Sequence, residues 1–335
     1  MKAVVVHEFG TVQDLRVEDA PDPTPAAGQV LIDVRATAVN FVDSLVVTGR
    51  YQFLPPRPFV PGKLPAGVVL AVGAGVTAFQ PGDRVLTLAE HGGYAQKALA
   101  RASDCYRLPD ALSFVDAAGM ALAYDTAWFA LHERARARPG DTVLVMGASG
   151  AVGLAAVQLG RAYGLTVIAG ISGTAKAEAV MRAGAQACID LSRENLHEAL
   201  REQVHALTDG RGADIVLDPL GGDYFDAALR ALAWCGRMVV IGFAAGRIPT
   251  VKANYLLVKN IEVSGLQVSD YRKRTPEKMT HCMSEIFRLF DAGKLAIAPA
   301  IAVPLEGAAD ALAAVCARKA TGRMVLVPNA EPDAP

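Results

Sequence analysis

A glycine-rich turn between an apolar stretch and a helical pattern is the clearest sign of chemistry in this sequence. The segment 142-TVLVMGASGAVGLAAVQLG-160 has the pattern of a buried strand, a turn of small residues and a helix. It fits the dinucleotide motif G-x-G-x-x-G at positions 148, 150 and 153, although the first glycine is replaced by Ala148. Gly150 lets the backbone approach a pyrophosphate, Gly153 lets the helix pack closely on the strand, and the helix N-terminus attracts the anion. We therefore predict a dinucleotide site rather than an ordinary tight turn, with contacts from Ser149, Gly150, Ala151, Val152 and Gly153.

The end of the second predicted strand, 165-LTVIAGIS-172, indicates which dinucleotide is bound. An NAD site usually places Asp or Glu on the adenosine ribose there. This chain has no acidic residue between Asp141 and Glu178. Without that carboxylate nothing on the strand repels a 2′-phosphate, and Lys176 with the Ser172 hydroxyl can bind one. We predict NADPH; the alternative is that Lys176 is a solvated residue of the first helical turn.

Two different patterns along the chain supply the elements that position these residues. Roughly the first hundred residues are β-rich, because short apolar runs such as 30–39, 68–72 and 84–88 are separated by proline and glycine turns. A helical pattern follows at 117–133, and from Asp141 strands and helices alternate, which implies a parallel sheet with helices on both faces. The predicted strands are 142–147, 165–171, 187–190, 214–218, 236–241 and 260–265, and the helices between them include 151–163 and 174–183.

The last part of the chain has no clear sheet of its own. An amphipathic helix is predicted at 280–293 and another at 305–320, flanked by two short strands of which the second is 323–328. We expect this part to rejoin the N-terminal domain.

Size and composition restrict the class of protein. The 335 residues allow two domains. Hydrophobic residues make up 52% and charged residues 20%, and the net charge of −1 argues against nucleic acid or an anionic membrane as a partner. No secretory signal is expected, and the glycines within 142–160 favour a buried strand and helix over a membrane span. Five scattered cysteines without a CxxC pattern suit reduced, buried thiols in the cytoplasm.

Several segments, taken in their order and spacing, resemble the zinc-independent quinone oxidoreductases of the medium-chain dehydrogenase/reductase superfamily over nearly the whole chain. They are 39-VNFVDSLVVTGRY-51, 59-FVPG-62, 81-PGDRV-85, 92-GGYA-95, 124-YDTAWFAL-131, the glycine turn, 218-DPLGG-222, 241-IGFAAGRIP-249 and 321-TGRMVL-326.

The resemblance implies an α/β protein of two domains. A chaperonin-10-like β-rich catalytic domain, residues 1–121 and 267–335, would be interrupted by a Rossmann domain with a doubly wound parallel sheet, residues 122–266. It also implies an active site in the cleft between them and a homodimer that joins the Rossmann sheets at the edge strand Ile261–Gly265.

The positions of the metal ligands in zinc-dependent relatives are changed in this chain. Those relatives use a Cys in the segment that here reads Val39-Asn40 and a His-Glu pair where Lys63-Leu64 follows a glycine. Amide, ammonium and alkyl side chains cannot replace thiolate and imidazole, so no zinc is expected. Quinone oxidoreductases often have an acidic residue in place of Leu64, so the local hydrogen-bond network is expected to differ. Lys63 would either attract an anionic substrate or lie in solvent.

Hydride transfer to a quinone or an activated alkene needs positioning and a hydrogen-bond donor for the carbonyl oxygen, rather than a strong Lewis acid. Asn40 and Tyr51 are the candidate donors; alternatively, each is structural. Asp43 is expected to brace its own loop rather than act as a base. The resemblance places Thr126, close to Tyr124, against the nicotinamide, with helix-core packing as the alternative. The predicted catalytic residues are Asn40, Tyr51 and Thr126.

Further cofactor contacts follow from the resemblance. His91 is excluded because a lone loop histidine is usually exposed, and the basic run Arg272-Lys273-Arg274 is predicted to be a solvated face. The additional cofactor-binding residues are Asn40, Thr126, Gly242, Phe243, Ala244, Leu266 and Arg323.

We therefore predict a cytoplasmic, homodimeric NADPH-dependent oxidoreductase that reduces a quinone or α,β-unsaturated carbonyl without a metal. An enoyl-thioester reductase of the acryloyl- or crotonyl-CoA type is the alternative, in which Lys63 and Arg272–Arg274 would bind CoA phosphates. A third reading is a non-catalytic NADPH-binding sensor or RNA-binding protein. The natural substrate depends on the loops 51–58 and 266–275.

Overall fold

The computed structural model describes residues 1–317, 319–320 and 322–329. Thr321, which belongs to the last of the resemblance motifs, and the end of the predicted catalytic domain from residue 330 lie outside the described residues. The chain divides into two compact units: a first unit of Met1–Leu122 with the residues from Ile297 onward, and a second unit of Ala123–Ala296.

Strands predominate in the first unit, whereas strands and helices alternate in the second. Up to the start of the second unit they are β1 (Lys2–Val4), β2 (Val17–Asp19), β3 (Gln29–Ala38), α1 (Phe41–Val47), β4 (Ala66–Val72), β5 (Arg84–Thr87), β6 (Lys97–Arg101), β7 (Cys105–Arg107) and α2 (Phe114–Phe129). The α2 helix continues as one π-helical turn, Ala130–Arg134. Then follow β8 (Thr142–Met146), α3 (Ala151–Ala162), β9 (Thr166–Ile171), α4 (Ala177–Ala183), β10 (Ala187–Asp190), α5 (Leu196–Leu207), β11 (Ala213–Asp218), α6 (Gly222–Ala231), β12 (Leu232–Val240), α7 (Ala253–Lys259), β13 (Glu262–Gly265), α8 (Val268–Arg274), α9 (Pro276–Asp291), β14 (Ala300–Pro304), α10 (Ala308–Cys316) and β15 (Arg323–Val327).

The sheet of the first unit is built on β3, whose side chains alternate between the core and the surface. Val30, Ile32 and Val34 are fully buried, as the period of two in an amphipathic strand requires. The strand order is β14-β15-β3-β4-β5-β7, and β6 also pairs with β3. The antiparallel pairing of β15 with β3, Val325 opposite Ala38, confirms that the chain returns to the N-terminal domain.

The sheet of the second unit is parallel, with the order β10-β9-β8-β11-β12-β13. The six predicted strands are confirmed, and this is the order of a Rossmann sheet. The direction of winding reverses between β8 and β11, where such sheets bind ligands at the carboxyl ends of their strands. Every residue of β8 is buried between helices, which explains its continuous apolar run. Among the described residues, no helix is both long enough and apolar enough to span a bilayer.

The residues 267–296 lie in the second unit, whereas the predicted boundary assigned them to the β-rich domain. The reason is a set of contacts from α8 and α9 to α2. Arg272 forms an ion pair with Asp125, the Tyr271 and Phe129 rings lie 4.4 Å apart, and Trp128 Nε1 donates to Glu285 at 2.8 Å.

Two predictions about which side chains are exposed or buried are wrong in part. The basic run was predicted to be a solvated face, but Arg272 is buried beside Asp125, while Lys273 and Arg274 are exposed. All five cysteines are free, but only Cys105 and Cys282 are buried, and Cys235 is exposed. Arg272 is buried beside Asp125, which is distant in sequence, so a local charge pattern could not predict the burial of Arg272.

Candidate functional site

The glycine turn after β8 has the geometry that the motif predicts. Gly147 has a φ of +62°, and Gly150 N–H donates to Gly147 O at 2.9 Å. A Cβ on Gly153 would lie 2.5 Å from Gly147 O and 2.6 Å from Ala148 Cα, so only glycine lets α3 approach the turn this closely.

The N-terminus of α3 suits a dinucleotide pyrophosphate. No described side chain caps it, and the N–H groups of its first turn have no partner within the helix. Gly150 and Ala151 are exposed, and Ser149 and Val152 are half-buried, so the predicted contact residues border open space. The turn therefore fits an anionic pyrophosphate held by backbone N–H groups and by the positive end of the helix dipole.

The end of β9 presents the residues predicted to distinguish NADPH from NADH. Ser172 is exposed, Gly173 has a φ of +77°, and Lys176 ends a short 3₁₀ turn and is also exposed. No acidic side chain belongs to this segment, as the sequence indicates. Both side chains are therefore accessible to a phosphate.

A carboxylate that the sequence analysis missed lies beside this segment. Asp190 ends β10, and parallel pairing sets it opposite Ile171 at the end of β9. Its Oδ1 accepts hydrogen bonds from the Ser192 hydroxyl at 2.6 Å and from Gly173 N–H at 3.4 Å. The Ser192 hydrogen bonds lower the pKa of Asp190, so this carboxyl is ionised at neutral pH. The sequence analysis looked for an acidic residue a fixed distance after the glycine turn. Pairing β10 with β9 would instead have placed Asp190 beside the end of β9.

The turns after β11 and β12 meet at the same edge of the sheet. Asp218, fully buried, accepts from Leu220 N–H at 2.8 Å and from Gly221 N–H at 3.0 Å, and burial raises its pKa. A Cβ on Gly221 would lie 2.9 Å from the Phe243 ring, so this glycine lets the two turns pack together. The structure thus brings four predicted cofactor residues to the carboxyl ends of β12 and β13: Gly242, Phe243, Ala244 and Leu266.

The two hydroxyl residues of α2 both have protein partners. Tyr124 Oη donates to Gln158 Oε1 at 2.9 Å, and Thr126 Oγ1 donates to Asp125 Oδ1 at 3.2 Å. Burial raises the pKa of Asp125, and the neighbouring Arg272 guanidinium opposes that rise. These bonds are those of a packed helix; a contact of Thr126 with the nicotinamide stays a prediction.

In the first unit, Asn40 begins α1 and is held in place from several directions. Its N–H donates to Asp43 Oδ2 at 2.9 Å, and its Nδ2 donates to Ala38 O at 3.2 Å. Arg323 Nη2 donates to Asn40 Oδ1 at 3.3 Å, so two residues predicted to bind cofactor lie together. The orientation of the Asn40 amide is therefore defined by protein contacts.

Asp43 is a buried carboxyl that joins α1 to a loop distant in sequence. Besides the Asn40 N–H, it accepts a hydrogen bond from the buried Tyr94 hydroxyl at 3.1 Å. Burial raises the pKa of Asp43 to about 6, although the Asn40 N–H and the nearby Lys63 ammonium act in the opposite direction. The geometry is that of a brace for the loop.

Lys63 does not lie in solvent, so that expectation was wrong; its attraction of an anionic substrate stays a prediction. Its side chain is 4% exposed, and its Nζ bonds to Glu90 Oε2 and to Glu90 O, the latter at 3.3 Å. Nζ also lies 5.2 Å from the centroid of the Tyr51 ring. Leu64 is buried with a φ of +56°, and the carboxylate beside this segment is that of Glu90, which comes from another loop.

The residues at the metal-ligand positions do not fit zinc. The Asn40 amide bonds to Arg323 and Ala38, the Lys63 ammonium carries a positive charge of its own, and Leu64 has no donor atom. The described residues contain no group of three or more His, Cys, Asp or Glu side chains that could hold a metal ion. His91 is exposed, as expected.

Comparisons with known proteins agree with this architecture. Residues 26–110 match the family model described as an alcohol dehydrogenase GroES-like domain, and residues 151–285 match that of a zinc-binding dehydrogenase. The chain is 38% identical to the quinone oxidoreductase-like protein 2 homolog of Nematostella vectensis, over 97% of this chain and 88% of that protein.

Solved structures of related oxidoreductases share this architecture. The Escherichia coli quinone oxidoreductase complexed with NADPH superposes with a TM-score of 0.88 at 28% identity, covering 98% of this chain and 100% of that one. The CurK enoyl reductase superposes with a TM-score of 0.87 at 26% identity, covering 97% of this chain and 98% of that one.

A GroES-like β-rich unit interrupted by a Rossmann sheet with a glycine turn defines a medium-chain dehydrogenase/reductase. Within that superfamily, the chain belongs to the quinone oxidoreductase family.

Proposed function

We propose that this protein is an NADPH-dependent oxidoreductase that transfers hydride to a quinone or an α,β-unsaturated carbonyl compound. The observation that carries the proposal is the uncapped, exposed start of α3 next to the exposed Ser172 and Lys176. The NADPH complex of the Escherichia coli relative supports the choice of cofactor.

The residues of the chain have separate roles in this proposal. The N–H groups from Ala151 to Gly153 bind the pyrophosphate, which Gly150 lets approach closely, and Ser172 with Lys176 binds the 2′-phosphate. Bound NADPH supplies the hydride.

Negative charge then develops on the carbonyl oxygen of the acceptor, and a hydrogen-bond donor stabilises it. We assign this role to the Tyr51 hydroxyl. Following the family resemblance, Asn40 is assigned to the nicotinamide or the acceptor, and Thr126 to the nicotinamide. No metal enters the reaction, because the donor set does not fit one.

Enoyl-thioester reduction is the second candidate, and the likeness to CurK favours it. Two of the four cations proposed for CoA phosphates are, however, engaged within the protein, and only Lys273 and Arg274 are exposed. Lys63 is paired with Glu90, and Arg272 is paired with Asp125, each as a buried cation. A quinone or a short enone makes no demand for such cations, so we favour it.

A homodimer is also proposed. Within the described residues β13 pairs only with β12 and so forms an edge of the sheet. The preceding helix α7 exposes 79% of Leu257 and 75% of Val258. An unpaired edge beside exposed aliphatic side chains suits pairing with a second copy of this chain.

Turnover of NADPH with 1,4-quinones, short enones and enoyl-CoA esters tests the function. We expect oxidation, followed at 340 nm, with quinones or enones in preference to CoA esters. Preference for CoA esters would support the second candidate. NADPH binding without turnover of any acceptor would show a non-catalytic binding protein and refute both enzyme functions.

The Lys176→Ala variant tests the cofactor assignment independently of the acceptor. We expect its affinity for NADPH to fall relative to NADH, because a charge-assisted contact to the 2′-phosphate is lost. Lys294→Ala, at an exposed residue of the same unit, is the matched control and should leave both affinities unchanged. An unchanged ratio of the two affinities in Lys176→Ala would show that the assignment is wrong.

A further inference from the structure

The support behind the Tyr51 ring carries an inference that rests on the proposed function. The Lys63 ammonium lies over the face of this ring, 5.2 Å from its centroid. Glu90 holds the same ammonium through its carboxylate and its backbone oxygen. The side chain of Lys63 is 4% exposed and that of Glu90 is 28% exposed, so the pair is largely removed from solvent.

The ammonium is fixed because the two segments that carry the pair are joined by backbone hydrogen bonds. Leu64 N–H donates to Ala89 O at 2.8 Å, Gly93 N–H to Gly62 O at 2.9 Å, and Gly92 N–H to Val60 O at 2.8 Å. A cation this deeply buried is stable only with its partner in place. Lys63 and Glu90 therefore form a rigid charged pair beneath Tyr51.

Tyr51 begins a surface loop, with its N–H donating to Leu45 O at 3.0 Å and its ring half-buried against the core of the first unit. Residues 52–54, which follow it, are exposed, and its ring meets the exposed Phe53 ring edge-on at 6.3 Å. A cation over the face of an aromatic ring attracts the ring, more strongly where water is excluded. The contact with Lys63 therefore links a loop residue to the two hydrogen-bonded segments that carry Lys63 and Glu90.

We propose that Lys63, held by Glu90, is a positioning residue that fixes the orientation of the Tyr51 ring and thereby directs the Tyr51 hydroxyl at the acceptor. Lys63 acts through Tyr51 and not on the acceptor itself, because its side chain is buried. The positive charge matters in this role, and the length of the aliphatic stem alone does not suffice.

A double-mutant cycle tests this role. We expect Lys63→Met to lower kcat about tenfold with little change in KM, because the cation over the ring is lost while the stem is kept. Lys63→Arg keeps the charge and should retain most of kcat. In a Tyr51→Phe background, which has the ring without the hydroxyl, Lys63→Met should lower kcat by less than about twofold. Equal effects of Lys63→Met in both backgrounds would overturn the proposal.

A second measurement needs no turnover, so it separates this proposal from the proposed function. The chain has eight tyrosines, and in protein labelled with 3-fluorotyrosine the ¹⁹F resonance of Tyr51 is identified by its loss in Tyr51→Phe. We expect that resonance to shift or broaden in Lys63→Met and to keep its position in Lys63→Arg. An unchanged Tyr51 resonance in Lys63→Met would refute the proposal whatever the enzyme reduces.

The resonance of the buried Tyr94 reports whether each variant is folded. If Lys63→Met does not fold, Lys63→Met combined with Glu90→Gln removes both charges of the ion pair together. In that double variant, the effect on kcat in the two Tyr51 backgrounds and the position of the Tyr51 ¹⁹F resonance then decide the proposal in the same way.

Discussion

Asp190→Asn is expected to tighten NADPH binding without affecting NADH. The carboxylate of Asp190 lies 3.4 Å from Gly173 N–H, and Gly173 is next to Ser172, a proposed ligand of the 2′-phosphate. Its pKa is lowered, so it carries a full negative charge at neutral pH and repels that phosphate. NADH has no 2′-phosphate and is not subject to this repulsion.

The size of the effect is worked out with Coulomb's law in water, because Asp190 is only half-buried at the end of β10. Two unit charges about 7 Å apart in water interact by about 0.6 kcal/mol, and a phosphate carries nearly two charges. Screening leaves about four-fifths of this at 0.01 M salt and less than half at 0.15 M. Asp190→Asn should therefore improve the Kd for NADPH about fivefold at low salt and about twofold at physiological salt.

The assay is the quenching of tryptophan fluorescence or calorimetric titration with NADPH and NADH at both salt concentrations. Asp209→Asn is the matched control, since Asp209 is exposed in the turn before β11, at the amino ends of the strands. An Asp190→Asn protein whose NADPH affinity is unchanged at low salt would show that the phosphate does not bind beside Ser172. A gain that does not depend on salt would show that the effect is not electrostatic.

Three further variants test separate features. Gly153→Ala should destabilise the second unit by more than about 2 kcal/mol and weaken cofactor binding, because the added Cβ would lie 2.5 Å from Gly147 O; thermal melts and titration measure both effects. The pKa of Asp43 rises on folding from 3.8 to about 6, so the folded state binds the extra proton and stability falls as pH rises through this window. Asp43→Asn should remove that fall in stability, which is about 3 kcal/mol in full. Denaturant unfolding of the wild type and the variant at pH 4 and pH 7 measures it, and an equal loss of stability in both proteins would contradict the prediction. Leu257→Arg should convert the proposed dimer to monomer in light scattering, whereas Leu207→Arg on α5 should not; a wild-type monomer would refute the proposed dimer itself.

Local patterns were sufficient to predict the sheet of the second unit and the shape of its glycine turn. Each strand there is an apolar run bounded by turn residues, and the role of Gly153 depends only on the turn next to it. The return of the last part of the chain to the N-terminal domain could also be predicted, because that part has no clear sheet of its own; its pairing with β3 in particular could not.

The features that could not be predicted depend on pairs distant in sequence. Lys63 and Glu90 are 27 residues apart, and Arg272 and Asp125 are 147 apart, so no local pattern marks either cation as buried. Arg272 also explains why 267–296 lie with the second unit, since its guanidinium must remain beside the buried carboxylate of α2.

The pairing of β15 with β3 has a consequence for how the chain folds. Val325 lies opposite Ala38, so the whole second unit is synthesised between the two halves of this ladder. The six parallel strands come from one continuous segment and can pair as soon as that segment leaves the ribosome, whereas the first sheet waits for its final strand. During synthesis, the end of β3 at Thr37 and Ala38 lacks its partner until β15 emerges, although β6 already pairs with the start of the strand. The unpaired N–H and C=O groups at that end are then open to pairing with another chain.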